Sequence, residues 1–194
     1  AAVILEPTGS HMGQVPIMPG FLSELRETTR RHGVVLIFDE VVTGFRLAYG
    51  GAQEYYGVTP DICTLGKTIA GGFPLAAIAG TEEIMSHFDP VSRETDGFMT
   101  QIGTLSGNPI AASAGLATLG VLRREGTYER LFEVGRQLKD GFQRLLNEAE
   151  VPAQIVGEPP LFDVVFVDSE ITDYRSLLAN DKQKAMRFNE LLLD

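Results

Sequence analysis

Two ionisable residues of opposite charge follow short apolar runs in this chain. Asp39 comes directly after "VVLIF" (34–38), and Lys67 comes two positions after "DICTL" (61–65). Ligands of open α/β sheets bind outside the carboxyl ends of the strands. If the two runs form neighbouring parallel strands, we expect a carboxylate and an ammonium group to converge on one crevice.

Two interpretations of this pair are open. The simpler one is a structural salt bridge, since a buried ammonium is costly unless it is paired, neutralised or used covalently. The glycines of "GKTIAGGFP" (66–74) favour the other, because they leave room for a flat ligand to reach Lys67. A partly desolvated amine in a cleft attacks carbonyl groups and forms a Schiff base.

An aspartate is the usual companion of such a lysine when the carbonyl belongs to pyridoxal 5′-phosphate (PLP). The carboxylate keeps the ring nitrogen protonated, so that the ring withdraws electrons from the substrate carbon. Val41, two residues beyond Asp39, could supply an apolar face against the ring. A nicotinamide cofactor lacks support, because no G-x-G-x-x-G follows a strand.

The strands that must position these residues are predicted from continuous apolar runs. Such runs are typical of strands that are covered on both faces of a parallel sheet. Between the first two runs, residues 19–33 have helical spacing, with Gly33 as C-cap. A strand–helix–strand unit indicates an α/β fold. The predicted strands of this part of the chain are 1–5, 34–38, 61–65 and 75–80.

The second half of the chain is predicted to be mainly helical. Two helices, 106–126 and 127–150, precede a strand at 160–168, and a final helix follows with Asp173 as N-cap. We expect a domain change inside or just after the helix 127–150.

Composition excludes several function classes. The chain has 194 residues, 44% of them hydrophobic, and a net charge of −10. Its Lys and Arg residues are scattered, which argues against nucleic acid or an anionic membrane as partner. No run approaches the roughly 18 apolar residues of a membrane span. The single Cys63 rules out an internal disulfide and favours a reducing compartment, so we expect a cytoplasmic protein.

Three segments in this order resemble the class III (omega) aminotransferases, and more closely glutamate-1-semialdehyde 2,1-aminomutase and its relatives. The resemblance implies the type I PLP-dependent fold, with a mostly parallel central sheet, flanking helices and a small α+β C-terminal domain. The segments are "LIFDEVVTGFR" (36–46), "TLGKTIAGGFPLAAIAG" (64–80) and "GTLSGNPIAASAGL" (103–116).

The resemblance also implies roles for individual residues. Lys67 matches the Schiff-base lysine, which moves the proton between substrate carbon and cofactor. Asp39 matches the aspartate at the pyridine nitrogen, and Val41 the residue on the ring face. Thr104 matches the threonine that binds the phosphate of the neighbouring subunit's cofactor, so a homodimer with a shared active site is expected. On its own, a threonine before a helix start would more often be a cap.

Further residues are candidates for substrate recognition. Glu6 matches the family's "EP" after the strand that leads into the site. His11 lies where several transaminases carry a substrate-sorting glutamate and the aminomutase branch a small polar residue, so this position departs from both. A solvated loop histidine is an equal alternative. Arg46, Tyr49 and Gln53 follow the Asp39 strand and could line the entrance.

The family's chains are longer than this one, and their N-terminal half carries the phosphate loop and a ring-stacking aromatic residue. This chain opens on a strand pattern and closes on a helical one, so we expect a central fragment. We assign 1–126 to the large cofactor-binding domain, 127–150 to a linking helix, and 151–194 to the start of the small domain.

Three functions are therefore considered. The first is amino-group transfer between an amine or amino acid and a keto acid or aldehyde, through a Lys67 Schiff base. The second is the aminomutase reaction, which moves the amino group within one molecule. The third is an inactive fragment, which the joint presence of Lys67, Asp39 and Thr104 argues against. A requirement for an external keto acid would separate the first two.

Overall fold

A computed structural model describes residues 1–9, 15–94 and 97–193. The chain divides into two compact units. One unit combines Ala1–Pro7 with Gly20–Glu125, and the other combines Thr8–Pro19 with Gly126–Asp194. The large domain, linking helix and small domain assigned from the sequence stay a prediction.

The first unit is built on a four-stranded sheet whose strands pair in chain order. The first three strands are parallel to one another, which confirms the predicted α/β fold with a mostly parallel sheet. The buried side chains of Leu36 and Phe38 lie at the centre of this sheet. The strands are β1 (Ala2–Leu5), β2 (Val35–Glu40), β3 (Ile62–Leu65) and β4 (Ala77–Gly80).

Helix α1 (Phe21–Arg31) connects β1 to β2, as the helical spacing predicted. It buries Leu22, and Gly33 just beyond its end adopts a positive φ of 61° that favours glycine. The Arg26 guanidinium pairs with the Asp61 carboxylate at 3.0 Å. Asp61 also accepts a hydrogen bond from the backbone N–H of Leu36 at 2.7 Å, so it ties the start of β3 to β2.

The prediction that 75–80 forms a parallel strand is wrong in its direction. Strand β4 pairs antiparallel with β3, with Ile62 opposite Gly80 and Leu65 opposite Ala77. The connection from Leu65 to Ala77 holds only a 3₁₀ turn (Lys67–Ala70) and a short loop. A parallel return needs a crossover of about a dozen residues or more, usually through a helix. Because the connection is short, β4 returns antiparallel to β3.

Five further helical segments complete the described part of the first unit. Helix α2 (Gly51–Tyr56) was missed by the sequence analysis, and α4 (Pro109–Leu122) falls within the predicted helix 106–126. Asn108 caps α4 by accepting hydrogen bonds from the backbone N–H groups of the first turn. The remaining segments are α3 (Glu82–Met85) and the 3₁₀ turns Ser86–Phe88 and Pro90–Ser92.

The second unit packs helices on a two-stranded antiparallel hairpin. The long amphipathic helix is confirmed, and Asp173 is the N-cap that was predicted, because its carboxylate accepts the N–H of Ser176 at 2.7 Å. These hydrogen bonds lower the pKa of Asp173. The elements are α5 (Thr127–Glu148), β5 (Gln154–Glu158), β6 (Leu161–Val165), α6 (Tyr174–Leu177) and α7 (Lys182–Leu191).

Candidate active site

The candidate site lies where β2 and β3 end. The two strands are parallel neighbours, as predicted, and Asp39 is the register partner of Thr64. Lys67 follows three residues after Thr64, so both ionisable residues lie toward the same edge of the sheet. No ion pair joins Asp39 to Lys67 in the part of the chain that the structure describes, and a structural salt bridge between them is not formed.

The Asp39 carboxylate is half-buried and held through only one of its oxygens. Its Oδ1 accepts hydrogen bonds from the hydroxyl of Thr64 and from the backbone N–H of Val41, each at 3.1 Å. Among residues 1–9, 15–94 and 97–193, no donor reaches Oδ2. One carboxylate oxygen is therefore available to a ligand, and its charge is not neutralised by an ion pair.

Lys67 begins the 3₁₀ turn Lys67–Ala70, with a φ of 45° that is rare for a residue other than glycine. The sequence suggested an amine partly desolvated in a cleft, whereas the residue is exposed in this structure. The turn lies beyond the end of β3, where residues 71–74 are exposed as well. No described residue forms a hydrogen bond or ion pair with the ammonium. A strained backbone that presents an unpartnered amine is a feature found at functional sites.

Val41 lies beside this turn. A Cβ atom built on the buried Gly66 would lie 3.3 Å from Cγ1 of Val41, a distance that ordinary side chains rarely allow. A residue with a Cβ at position 66 would require the Val41 side chain to shift by a few tenths of an ångström. The structure therefore brings Val41, Asp39 and the start of the Lys67 turn together.

Two contacts fix the Lys67 turn from outside. Gly71, at a φ of 56°, packs so closely on α4 that an added Cβ would overlap the Thr118 hydroxyl. On the other side, Arg46 donates from Nε to the carbonyl of Val42 at 2.9 Å and from Nη2 to Thr68 Oγ1 at 3.4 Å. Arg46 thus links the loop after β2 to the turn after β3.

The other two residues expected near the entrance make different contacts. The Tyr49 hydroxyl accepts a hydrogen bond from Arg123 Nη2 at 2.7 Å, and the guanidinium lies 5.1 Å from the ring centroid. The Gln53 side chain donates to the carboxylate of Glu40 at 3.0 Å. That these residues line an entrance stays a prediction.

Glu40 is a buried carboxylate that the sequence analysis did not identify. Its exposed fraction is 0%. Oε2 accepts hydrogen bonds from the Thr43 hydroxyl at 3.1 Å and the Ala52 backbone N–H at 2.5 Å, and Oε1 accepts the Gln53 amide at 3.0 Å. Three donors from the loop and from α2 therefore converge on the residue between Asp39 and Val41.

A sequence signal for this network exists in the glycine pair that opens α2. Gly51 has a φ of 71°, and a Cβ there would overlap the Glu40 carboxylate. A positive-φ glycine 11 positions after a charged strand residue indicates close backbone approach, but it does not identify the approaching group.

The remaining predicted residues fall at different places. Glu6 is half-buried and directly follows β1. Its neighbour Leu5 pairs with Phe38 on β2, so Glu6 lies toward the same sheet edge as Asp39. Thr104 is exposed in the turn that precedes α4. His11 lies outside the described residues.

A cavity of about 500 Å³ lies next to the Glu40 network, and neither Asp39 nor Lys67 lines it. Burial raises the pKa of the Cys63 thiol that lines it, so this thiol stays protonated at neutral pH. The Cys63 thiol has no features of a nucleophile. The lining of the cavity also includes Gly44, Tyr49, Gln53, Leu65 and Ala79.

Two other kinds of site are absent from the described ranges. None of the helices there combines the length and apolar character that crossing a membrane requires. No group of three or more His, Cys, Asp or Glu side chains there is arranged to hold a metal ion.

Comparison with known proteins places this geometry in context. The family model described as Aminotransferase class-III matches residues 1–186. Glutamate-1-semialdehyde 2,1-aminomutase of Natranaerobius thermophilus is 45% identical over 193 residues, which are 100% of this chain and 44% of that protein. The chain therefore spans less than half the length of the curated relatives that it matches.

Solved structures of transaminases also match this chain. The crystal structure of an omega-transaminase from Sphaerobacter thermophilus matches with a TM-score of 0.85 and 39% identity, over 94% of this chain and 41% of that one. A transaminase with PLP bound matches with a TM-score of 0.75 and 34% identity, over 84% of this chain and 38% of that one.

Proposed function

The chain belongs to the class-III aminotransferases, and on this basis we propose that the complete protein transfers an amino group between an amine or amino acid and a keto acid or aldehyde. Its cofactor is PLP, which the similar transaminase carries. When bound, PLP withdraws electrons from the substrate carbon that loses its proton.

One observation carries the proposal. Two parallel neighbouring strands end in a carboxylate with one oxygen lacking a donor and in an exposed amine without a partner among the described residues. These groups fit PLP, whose ring nitrogen needs an acceptor and whose aldehyde needs an amine. The presence of both groups at one sheet edge argues against an inactive fragment.

Each residue then has a defined task. Lys67 would supply the amine that condenses with the cofactor aldehyde, with loss of water, and it would move the proton at the substrate carbon. Asp39 would hold the ring nitrogen through its carboxylate, whose Oδ2 has no donor among the described residues. Val41, which packs beside Gly66, provides an apolar contact to the ring face.

Thr104 makes the site a property of a homodimer in this proposal. It is exposed in the turn before the capped start of α4, a position from which a hydroxyl can bind a phosphate of the partner's cofactor. We place the enzyme in the cytoplasm, where a single reduced cysteine is usual.

Substrate selection is assigned to Glu6 and His11. Glu6 follows β1 toward the sheet edge that carries Asp39. His11 follows on the same segment of the sequence.

The aminomutase reaction is the second candidate, and the 45% identity to a glutamate-1-semialdehyde 2,1-aminomutase favours it. The two reactions differ in one requirement. An aminotransferase needs an external keto acid or aldehyde for multiple turnovers, whereas an aminomutase converts glutamate-1-semialdehyde without one. Multiple turnovers of glutamate-1-semialdehyde without an added keto acid or aldehyde would favour the aminomutase reaction over the aminotransferase reaction.

Chemical trapping tests the attachment to Lys67. We expect the full-length protein with added PLP to absorb at the longer wavelengths of a lysine-bound cofactor. Borohydride reduction followed by digestion and mass spectrometry should then find the adduct on the peptide that contains Lys67. A Lys67→Ala variant serves as the control. Reduction that labels other lysines equally, or no label at all, would contradict the proposal.

A further inference from the structure

We propose that Thr64 is a positioning residue, which orients the Asp39 carboxylate so that Oδ2 faces the cofactor ring. This inference rests on the proposed function and adds a residue to it. Thr64 donates its hydroxyl to Asp39 Oδ1 at 3.1 Å from the neighbouring strand.

The register of the sheet makes this contact a fixed one. Asp39 and Thr64 are directly paired across β2 and β3, and side chains paired in this way are neighbours on one face. Threonine is β-branched, so its χ1 angle is restricted and its hydroxyl keeps its direction. The donor is thus held by the strand and not by a mobile loop.

A second donor makes the orientation unique. The backbone N–H of Val41 donates to the same Oδ1, also at 3.1 Å. Two donors on one oxygen oppose rotation of the carboxylate about χ2, which is otherwise soft. Oδ2 then stays on the side away from both donors.

The chemistry of the donors suits this task. A lysine or arginine partner would also orient Asp39, but it would neutralise the charge that the ring nitrogen requires. A hydroxyl and a backbone N–H orient the carboxylate and leave it free of an ion pair, and the described residues form none with Asp39. Thr64 therefore acts on the ring nitrogen only through Asp39.

The experiment compares Thr64→Val with Thr64→Ser in the full-length protein. Valine keeps the shape and removes the donor, whereas serine keeps the donor. The readout is the ratio of dissociation constants for PLP and for its 1-deaza analogue, in which a C–H group replaces the ring nitrogen. This ratio measures the contact between Asp39 and the ring nitrogen.

Wild type is expected to prefer PLP over the analogue. Thr64→Val should reduce that preference about fivefold, the size of one hydrogen bond, and Thr64→Ser should stay within about twofold of wild type. An unchanged preference in Thr64→Val would overturn this inference alone. A wild type that binds neither compound, or both equally, would overturn the proposed function together with the inference.

Folding of the variants is checked by the thermal midpoint of each apoprotein. Valine is at least as favourable as threonine in a strand, so the midpoint is expected to be unchanged. If Thr64→Val does not fold, Thr64→Ala removes the same donor without adding a methyl group in its place. A preference in Thr64→Ala equal to that of wild type would then overturn the inference.

Discussion

Replacement of Lys67 by alanine in the full-length protein is expected to lower kcat by about 10³-fold or more. The substitution removes both the amine that binds the cofactor covalently and the group that moves the proton, and each contributes a large factor to such reactions. The exposed amine forms no hydrogen bond or ion pair with the described residues, so folding should not change. Steady-state kinetics with a saturating amine donor and acceptor measure the effect.

Two further variants separate charge from nucleophilicity. Lys67→Arg keeps the positive charge, but guanidinium is not a nucleophile at neutral pH, and we expect it to be as inactive as Lys67→Ala. Lys182→Ala, at the exposed start of α7, is the matched control and should stay within twofold of wild type. Activity in Lys67→Ala within tenfold of wild type would contradict the assignment.

Replacement of Glu40 by alanine is expected to lower the free energy of unfolding by about 3–5 kcal/mol. The substitution leaves the hydroxyl of Thr43, the N–H of Ala52 and the amide of Gln53 without their acceptor in a fully buried place. Each unsatisfied buried donor costs about 1–3 kcal/mol before relaxation. Urea denaturation of the full-length protein measures the change.

The controls for this prediction use glutamates in different surroundings. Glu27 is exposed, and its one ion pair among the described residues is with Arg30 on the same helix at 3.2 Å, so Glu27→Ala should change the free energy of unfolding by less than about 0.5 kcal/mol. Glu40→Gln keeps the volume and one acceptor oxygen, and it should fall between the two alanine variants. Equal stability of Glu40→Ala and wild type would mean that the network is not coupled to folding.

The strand ends could be predicted from the sequence because they depend on local patterns. A continuous apolar run that stops at a charged residue marks both a buried strand and its carboxyl end. Asp39 and the segment before Lys67 both have this pattern, and β2 and β3 are the predicted parallel neighbours. The exposure of Lys67 could not be read in the same way, because it depends on where the turn projects.

The direction of β4 and the Glu40 network could not be predicted for a different reason. Small apolar residues fit a strand of either direction, and only the length of the connection decides between them. The three donors to Glu40 follow it by 3 to 13 positions and come from a loop and a helix start. Their convergence depends on the tertiary fold.

The C-terminal segment illustrates a competing local signal. A single helix was predicted from Asp173 onward, but the structure has α6 and α7 separated by residues 178–181. Asp181 interrupts the predicted single helix. Its carboxylate caps α7, and its N–H donates to the Phe166 carbonyl at 2.9 Å. Helical spacing alone did not reveal the internal N-cap.

Pairing of the sheet in chain order has a kinetic consequence. Partners in β2 and β3 are 25 positions apart, whereas those in β3 and β4 are 12 to 18 apart. Closing the shorter loop costs about 0.5 kcal/mol less chain entropy. We therefore expect β3 and β4, which flank the Lys67 turn, to pair before β2, which carries Asp39, joins the sheet. Pulsed hydrogen exchange during refolding would detect this order as earlier protection of the β3 and β4 amides.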